Sequence, residues 1–90
     1  MTTLAELEAA ADLVHSHFPG TPQYAWPLLA SRTGAEVWIK HDNHTPIGAF
    51  KVRGGLVYMD HLKRSATAVA GVITATRGNH GQSIARAASA

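Results

Sequence analysis

A chain of 90 residues leaves room for one small domain, since domains run at roughly 100–200 residues. Hydrophobic residues make up 46% and charged residues 16%, a globular rather than a disordered composition, and the absence of cysteine excludes a disulfide framework, a thiolate zinc site and a cysteine nucleophile. The net charge of +2 comes without clustered Lys/Arg runs, which speaks against nucleic-acid binding, and no stretch reaches the ~18 apolar residues of a membrane-spanning helix.

The N-terminus has no basic n-region, and Glu6, Glu8 and Asp12 argue against a secretory signal, so a cytoplasmic location is expected. From Leu4 to Phe18 the apolar residues Leu4, Leu7, Ala11, Val14 and Phe18 recur at spacings of three and four, which predicts an amphipathic packing helix. Thr3 and Glu6 form a capping box at its start, and Pro19-Gly20 stops it. Thr21 to Leu29, with two prolines, reads as extended and irregular, with a short helical turn over Leu28–Ser31. Ala35–Lys40 is rich in strand-forming residues, and His41–Gly48 is a polar loop containing Pro46. A second helix is predicted over Ala49–Leu62, despite Gly54-Gly55. Val69–Ala75 reads as a short apolar strand of the kind buried on both faces of a parallel sheet. Thr76–Gly81 is a glycine-containing turn, and Gln82 onward is helical again.

This alternation predicts an α/β fold with parallel-sheet βα units. The chain ends inside a helical pattern with no cap, and two strands leave a parallel sheet with open edges, so residues 1–90 are expected to be a truncated portion of a longer domain.

Two segments carry chemistry. Thr45-Pro46-Ile47-Gly48-Ala49-Phe50-Lys51-Val52-Arg53-Gly54-Gly55 places a lysine in the first turn of a helix, where the positive end of the helix dipole favours the neutral amine that a carbonyl requires. A solvated surface lysine is the plain alternative. Gly71-Val72-Ile73-Thr74-Ala75-Thr76-Arg77-Gly78-Asn79-His80-Gly81-Gln82 runs a strand into a glycine turn and a helix start, either an anion site or a plain βα turn. It matches neither the dinucleotide fingerprint nor the Walker pattern. All six acids lie at or before Asp60, and the acid-free remainder suits an anionic ligand. His41 and His44 have no third metal ligand at a known spacing, His15 and His17 point to different sides of a helix, and Asp42 and Asp60 form no catalytic pair.

Taken together, Gly-Ala-Phe-Lys-Val-Arg-Gly-Gly around Lys51 and Ala-Thr-Arg-Gly-Asn-His-Gly-Gln from Ala75, with Gly34–Lys40 as lead-in, resemble the serine/threonine dehydratase branch of the fold-type II pyridoxal-phosphate enzymes. The resemblance runs from about Thr21 to the end, and Val52-Arg53 and His80 favour this branch over the cysteine synthases. It implies the N-terminal portion of the tryptophan synthase β-like fold, with pyridoxal 5'-phosphate as cofactor, a small amino acid as substrate and a homo-oligomeric full-length enzyme. It implies that Lys51 holds the cofactor covalently and then takes the substrate's α-proton, that Phe50 packs beside the cofactor ring, and that Asn79 binds its phenolic oxygen. Thr76 with the backbone N–H groups of Gly78, Asn79 and His80 would hold the substrate carboxylate. The implied reaction is loss of the β-hydroxyl and release of a 2-oxo acid and ammonia, with the fragment itself inactive. An inert truncated chain, or a racemase or β-replacement lyase when full length, are the alternatives.

The sequence departs from the family pattern at Ile47 and Ala49, where many members have Thr and Ser, and at Arg77. Racemases need a serine at the last position as second base, so Arg77 weakens that reading; it could meet a second substrate carboxylate or point to solvent. The family's cofactor-phosphate loop lies further along than these residues.

Overall fold

The computed structural model describes residues 1–65 and 69–90. Helix α1 spans Leu4–His17. The Thr3 hydroxyl accepts from the Glu6 N–H at 3.2 Å while the Glu6 carboxylate accepts from the Thr3 N–H at 2.7 Å, so the capping box forms as predicted. Those bonds also hold the Glu6 carboxyl below the usual carboxylate range, the Thr3 N–H contributing most. The helix ends because Phe18 precedes Pro19, whose ring disfavours helical backbone before it; Phe18 is extended at φ −159°, ψ 153°. Of the predicted apolar face, Val14 and Phe18 are buried, whereas Leu4 and Leu7 remain exposed.

The same pre-proline constraint acts twice more, at extended Trp26 before Pro27 and extended Thr45 before Pro46. Strand β1 is Gln23–Ala25, and α2 runs Pro27–Thr33 with proline in its first turn and Gly34 closing it in the left-handed region at φ 70°. Strand β2 is Trp38–Lys40, followed by a 3-10 turn over Asp42–His44. β2 pairs with β1 antiparallel, Tyr24 facing Ile39. This pair uses a strand that the sequence did not predict, and the expected parallel partner of β2 over Val69–Ala75 is not formed.

Helix α3 spans Lys51–Ser65 and α4 spans Asn79–Ala88. Between them the predicted strand over Val69–Ala75 is not formed: the segment has no regular secondary structure, and Ile73 is fully exposed. The reason lies in its composition. An apolar strand of this kind is stable only with neighbours along its edges and cover on both faces, and no described element supplies them. The core is small, with Val14, Phe18, Val52, Leu56 and Ala87 joining α1, α3 and α4. The radius of gyration is 16.2 Å, against about 12 Å for a compact chain of this length.

The closest helix contact is α3 on α4, and Gly55 makes it possible. A Cβ at Gly55 would lie 2.2 Å from Ser83 Oγ and 3.1 Å from the Ser83 carbonyl oxygen. The pair of glycines within a helix is therefore a packing device at its second member.

Candidate active site

The approach to Lys51 is a locked loop. The buried Thr45 hydroxyl accepts from the Ala49 N–H at 2.9 Å and donates to the Ala49 carbonyl at 2.7 Å. The Gly48 N–H donates to the Thr45 carbonyl at 2.9 Å, with Gly48 at φ 68°, a conformation that favours glycine. Lys51 follows as the first residue of α3, and its backbone carbonyl accepts a 2.6 Å hydrogen bond from Ser83 Oγ. Ser83 is 1% exposed, so this bond is shielded from water and ties the turn bearing Lys51 to α4. About one and a half turns further along α3, Leu56 belongs to the core, which roots the helix.

Asn79 opens α4. Ahead of it Thr76 acts as the cap: its Oγ1 accepts from the Gly78 N–H at 3.0 Å and from the Gly81 N–H at 2.9 Å. Gly81 is required for the fit, because a Cβ there would lie 2.5 Å from Thr76 Cγ2. Gly78 sits at φ 144°. The backbone N–H groups of Asn79 and His80 belong to the first turn, where a helix offers no internal acceptor, and they have no partner among the described residues. The Gly78 N–H, by contrast, is engaged by Thr76. The His80 ring is 3.0 Å from the Thr74 hydroxyl.

The two segments meet. Lys51, Ala75, Thr76, Arg77, Gly78, Asn79 and His80 line one open cleft of about 710 Å³. The sequence places these residues in separate motifs, and the fold brings Lys51, Thr76, Gly78, Asn79 and His80 to one place. Phe50 is 61% exposed and is not part of the cleft lining. No carboxylate lines the cleft.

A second group of residues supports the site from behind. The Arg53 guanidinium pairs with the Asp42 carboxylate at 3.1 Å and stacks on the Phe18 ring at 5.2 Å. Thr21 Oγ1 donates to Asp42 at 2.5 Å and accepts from Arg53 at 3.2 Å. The Thr21 hydroxyl first, and then Arg53, hold the Asp42 carboxyl below its ordinary range against the opposing effect of burial. This cluster fixes the first turn of α3 to the loop after α1 and to the 3-10 turn. Arg53, noted in the sequence only as part of a motif, is thus an anchor. His41 accepts the Trp26 indole N–H at Nε2, 3.0 Å away, so it closes the strand pair rather than waiting for a metal.

Sequence reasoning missed Ser83 and the Thr21–Asp42–Arg53 cluster. Glycine inside a helix signals close backbone approach, and Gly54-Gly55 was the available cue to a small partner such as Ser83. Nothing in residue spacing links Thr21 to Arg53.

The chemistry of the cleft fits the aldehyde end of pyridoxal phosphate. It offers one primary amine, an amide able to donate to a ring oxygen, a threonine hydroxyl and free backbone donors, with no competing carboxylate.

Comparison with known proteins agrees. The model of the pyridoxal-phosphate dependent enzyme family matches residues 14–90. The L-threonine ammonia-lyase of Geobacter sulfurreducens is 38% identical over 74 residues, 82% of this chain and 16% of that protein. The biosynthetic L-threonine dehydratase of Corynebacterium glutamicum is 33% identical over 94% of this chain and 21% of its own length. The L-threo-3-hydroxyaspartate ammonia-lyase of Saccharomyces cerevisiae is 34% identical over 96% of this chain and 26% of its own. The chain thus spans between 16% and 26% of these three relatives. No solved structure gives a significant match.

Proposed function

The chain belongs to the pyridoxal-phosphate dependent enzymes, and from that premise we propose that it is the N-terminal portion of an ammonia-lyase acting on serine, threonine or a related 3-hydroxy amino acid. The observation that carries this reading is the shared cleft: Lys51 and Asn79 line it together although 28 positions separate them (79 − 51). In this reading Lys51 Nζ would hold the cofactor and would be the base that takes the substrate's α-proton. Asn79 orients the ring through its phenolic oxygen. The N–H groups of Asn79 and His80, with the Thr76 hydroxyl, receive the α-carboxylate; the Thr76 oxygen already accepts two bonds, which leaves its proton free to donate. The chemistry that bound pyridoxal phosphate supplies is withdrawal of the electron pair left at the α-carbon. Overall the α-proton and the β-hydroxyl leave together as one water, hydrolysis of the resulting imine consumes one water, and the net products are a 2-oxo acid and ammonia with no oxidant or reductant required.

The relatives named above act on threonine and on hydroxyaspartate, which supports the substrate class. The residues that hold the cofactor phosphate belong to a part of the enzyme beyond these 90, and the complete enzyme would be a homo-oligomer. No described helix is long and apolar enough to cross a membrane.

The test is chemical trapping. Pyridoxal phosphate followed by borohydride should label the peptide containing Lys51, and not those containing Lys40 or Lys63. A label spread evenly over the three lysines would overturn the assignment. So would failure of the complete protein to form a 2-oxo acid from any 3-hydroxy amino acid.

A further inference from the structure

With Lys51 given to the cofactor, the cleft still presents one guanidinium, that of Arg77, beyond the donors that a single α-carboxylate uses. Lys51 and Arg77 both line it, and no acid does. The ion pairs among the described residues are Arg53 with Asp42 and Arg64 with Asp60, so Arg77 has no acidic partner there. Residues 61–90 contain no acid.

A guanidinium in this position selects by charge. It offers a planar, bidentate match to a carboxylate and remains charged at every working pH. A substrate whose β-carbon carries hydrogen or a methyl group beside its hydroxyl offers the guanidinium at most one neutral acceptor, which poorly replaces the water it displaces. A substrate with a second carboxylate on the β-carbon would return two hydrogen bonds. Asn79 and His80 sit beside Arg77 in the chain and offer the free backbone N–H groups for the first carboxylate. Adjacent residues thus provide for two carboxylates at the two ends of a four-carbon acid.

We infer that Arg77 is a specificity-determining residue that receives the second carboxylate of a dicarboxylic 3-hydroxy amino acid. The inference rests on the ammonia-lyase reading above and narrows its substrate class.

The experiment uses the holoenzyme carrying residues 1–90, with wild type, Arg77→Ala and Arg77→Lys. The first readout is binding of succinate against butyrate by calorimetry. Wild type should bind succinate more tightly, and Arg77→Ala should lose about 10- to 100-fold of that preference, the range expected for a charged hydrogen-bonded pair. Arg77→Lys should recover part of it. The second readout is kcat/KM for 3-hydroxyaspartate against threonine, which should shift in the same sense. Three results would overturn the inference: no preference in wild type, a preference that survives Arg77→Ala, or an equal loss for succinate and butyrate. The last would place Arg77 on the α-carboxylate instead. Trapping of pyridoxal phosphate on Lys51 in the same variants separates the two levels. Intact Lys51 labelling without dicarboxylate preference sinks this inference alone, whereas absent labelling in wild type sinks the ammonia-lyase reading while the succinate comparison stays readable.

Discussion

Gly54 and Gly55 are neighbours in α3, yet alanine at the two positions should move stability in opposite directions. At Gly54 nothing lies within 4 Å of a new Cβ. Alanine there gains about 0.5–1 kcal/mol from the lower entropy cost of holding it helical. At Gly55 the same Cβ would sit 2.2 Å from Ser83 Oγ. Either the serine side chain rotates away, breaking its 2.6 Å bond to the Lys51 carbonyl, or α4 withdraws. Overpacking of a close interface costs about 1–3 kcal/mol, and the lost hydrogen bond adds about 1 kcal/mol. Against the helical gain, the net loss is about 1–3 kcal/mol, or a factor of about 5 to 150 in local opening. The measurement is amide hydrogen exchange over Ile84–Ala88 in the holoenzyme carrying these residues, which reads local opening directly. Gly55→Ala combined with Ser83→Ala should recover part of the loss, because the Oγ clash disappears while the 3.1 Å approach to the Ser83 carbonyl remains. Protection that rises in Gly55→Ala as it does in Gly54→Ala would refute the close-contact argument.

Three further outcomes are expected. Lys51→Ala should abolish borohydride-trapped pyridoxal phosphate and all turnover while carboxylate binding survives; retained turnover would remove Lys51 from the chemistry. The Asp42 carboxyl is held below its ordinary value of 3.8, so its contribution to the anchor is present above that value and is lost as pH falls through the lower, folded one. Thr21→Val should move the Asp42 titration midpoint upward, as followed by carboxyl carbon shifts, and an unmoved midpoint would show that the hydroxyl is not the chief cause. Thr76→Val should cost about 1 kcal/mol by removing the acceptor for the Gly78 and Gly81 N–H groups; exchange over the first turn of α4 reports it, and Thr76→Ser should restore protection.

Helices were the most legible part of the fold. Their signals are local: Thr3 and Glu6 lie one turn apart, and each proline dictates the backbone of the residue before it. α1 therefore falls at Leu4–His17 against an expected Leu4–Phe18, and α3 at Lys51–Ser65 against Ala49–Leu62. α4 begins at Asn79 rather than Gln82, because Thr76 reaches forward to Gly81 and caps the helix earlier than its periodicity shows. The sheet was the least legible. The strand character of Val69–Ala75 is a property of composition, but a strand exists only when another backbone accepts its hydrogen bonds. The short antiparallel pair of Gln23–Ala25 with Trp38–Lys40 was hidden for the same reason, since two prolines masked its first member.

The site divides along the same line between what a side chain is and what holds it. An amine able to react with an aldehyde, an amide able to bind a phenolic oxygen and a glycine turn at a helix start are chemical identities, and they can be read residue by residue. Their convergence follows from packing, and the packing is carried by residues with no chemistry of their own. Ser83 and Gly55 let α4 approach α3 closely enough for Ser83 to grip the Lys51 carbonyl, which sets the start of α3 against the start of α4. Thr21, Asp42 and Arg53 then hold the first turn of α3 from the far side in sequence. Lys40, Lys51 and Lys63 are all exposed, and what sets Lys51 apart is its backbone, held at a helix start that Ser83 and Arg53 both anchor. Loosening either clamp should therefore slow attachment of pyridoxal phosphate to Lys51 without altering the chemistry of the amine. Ser83→Ala is the sharpest case, since it deletes one oxygen and leaves every lining side chain of the cleft in place.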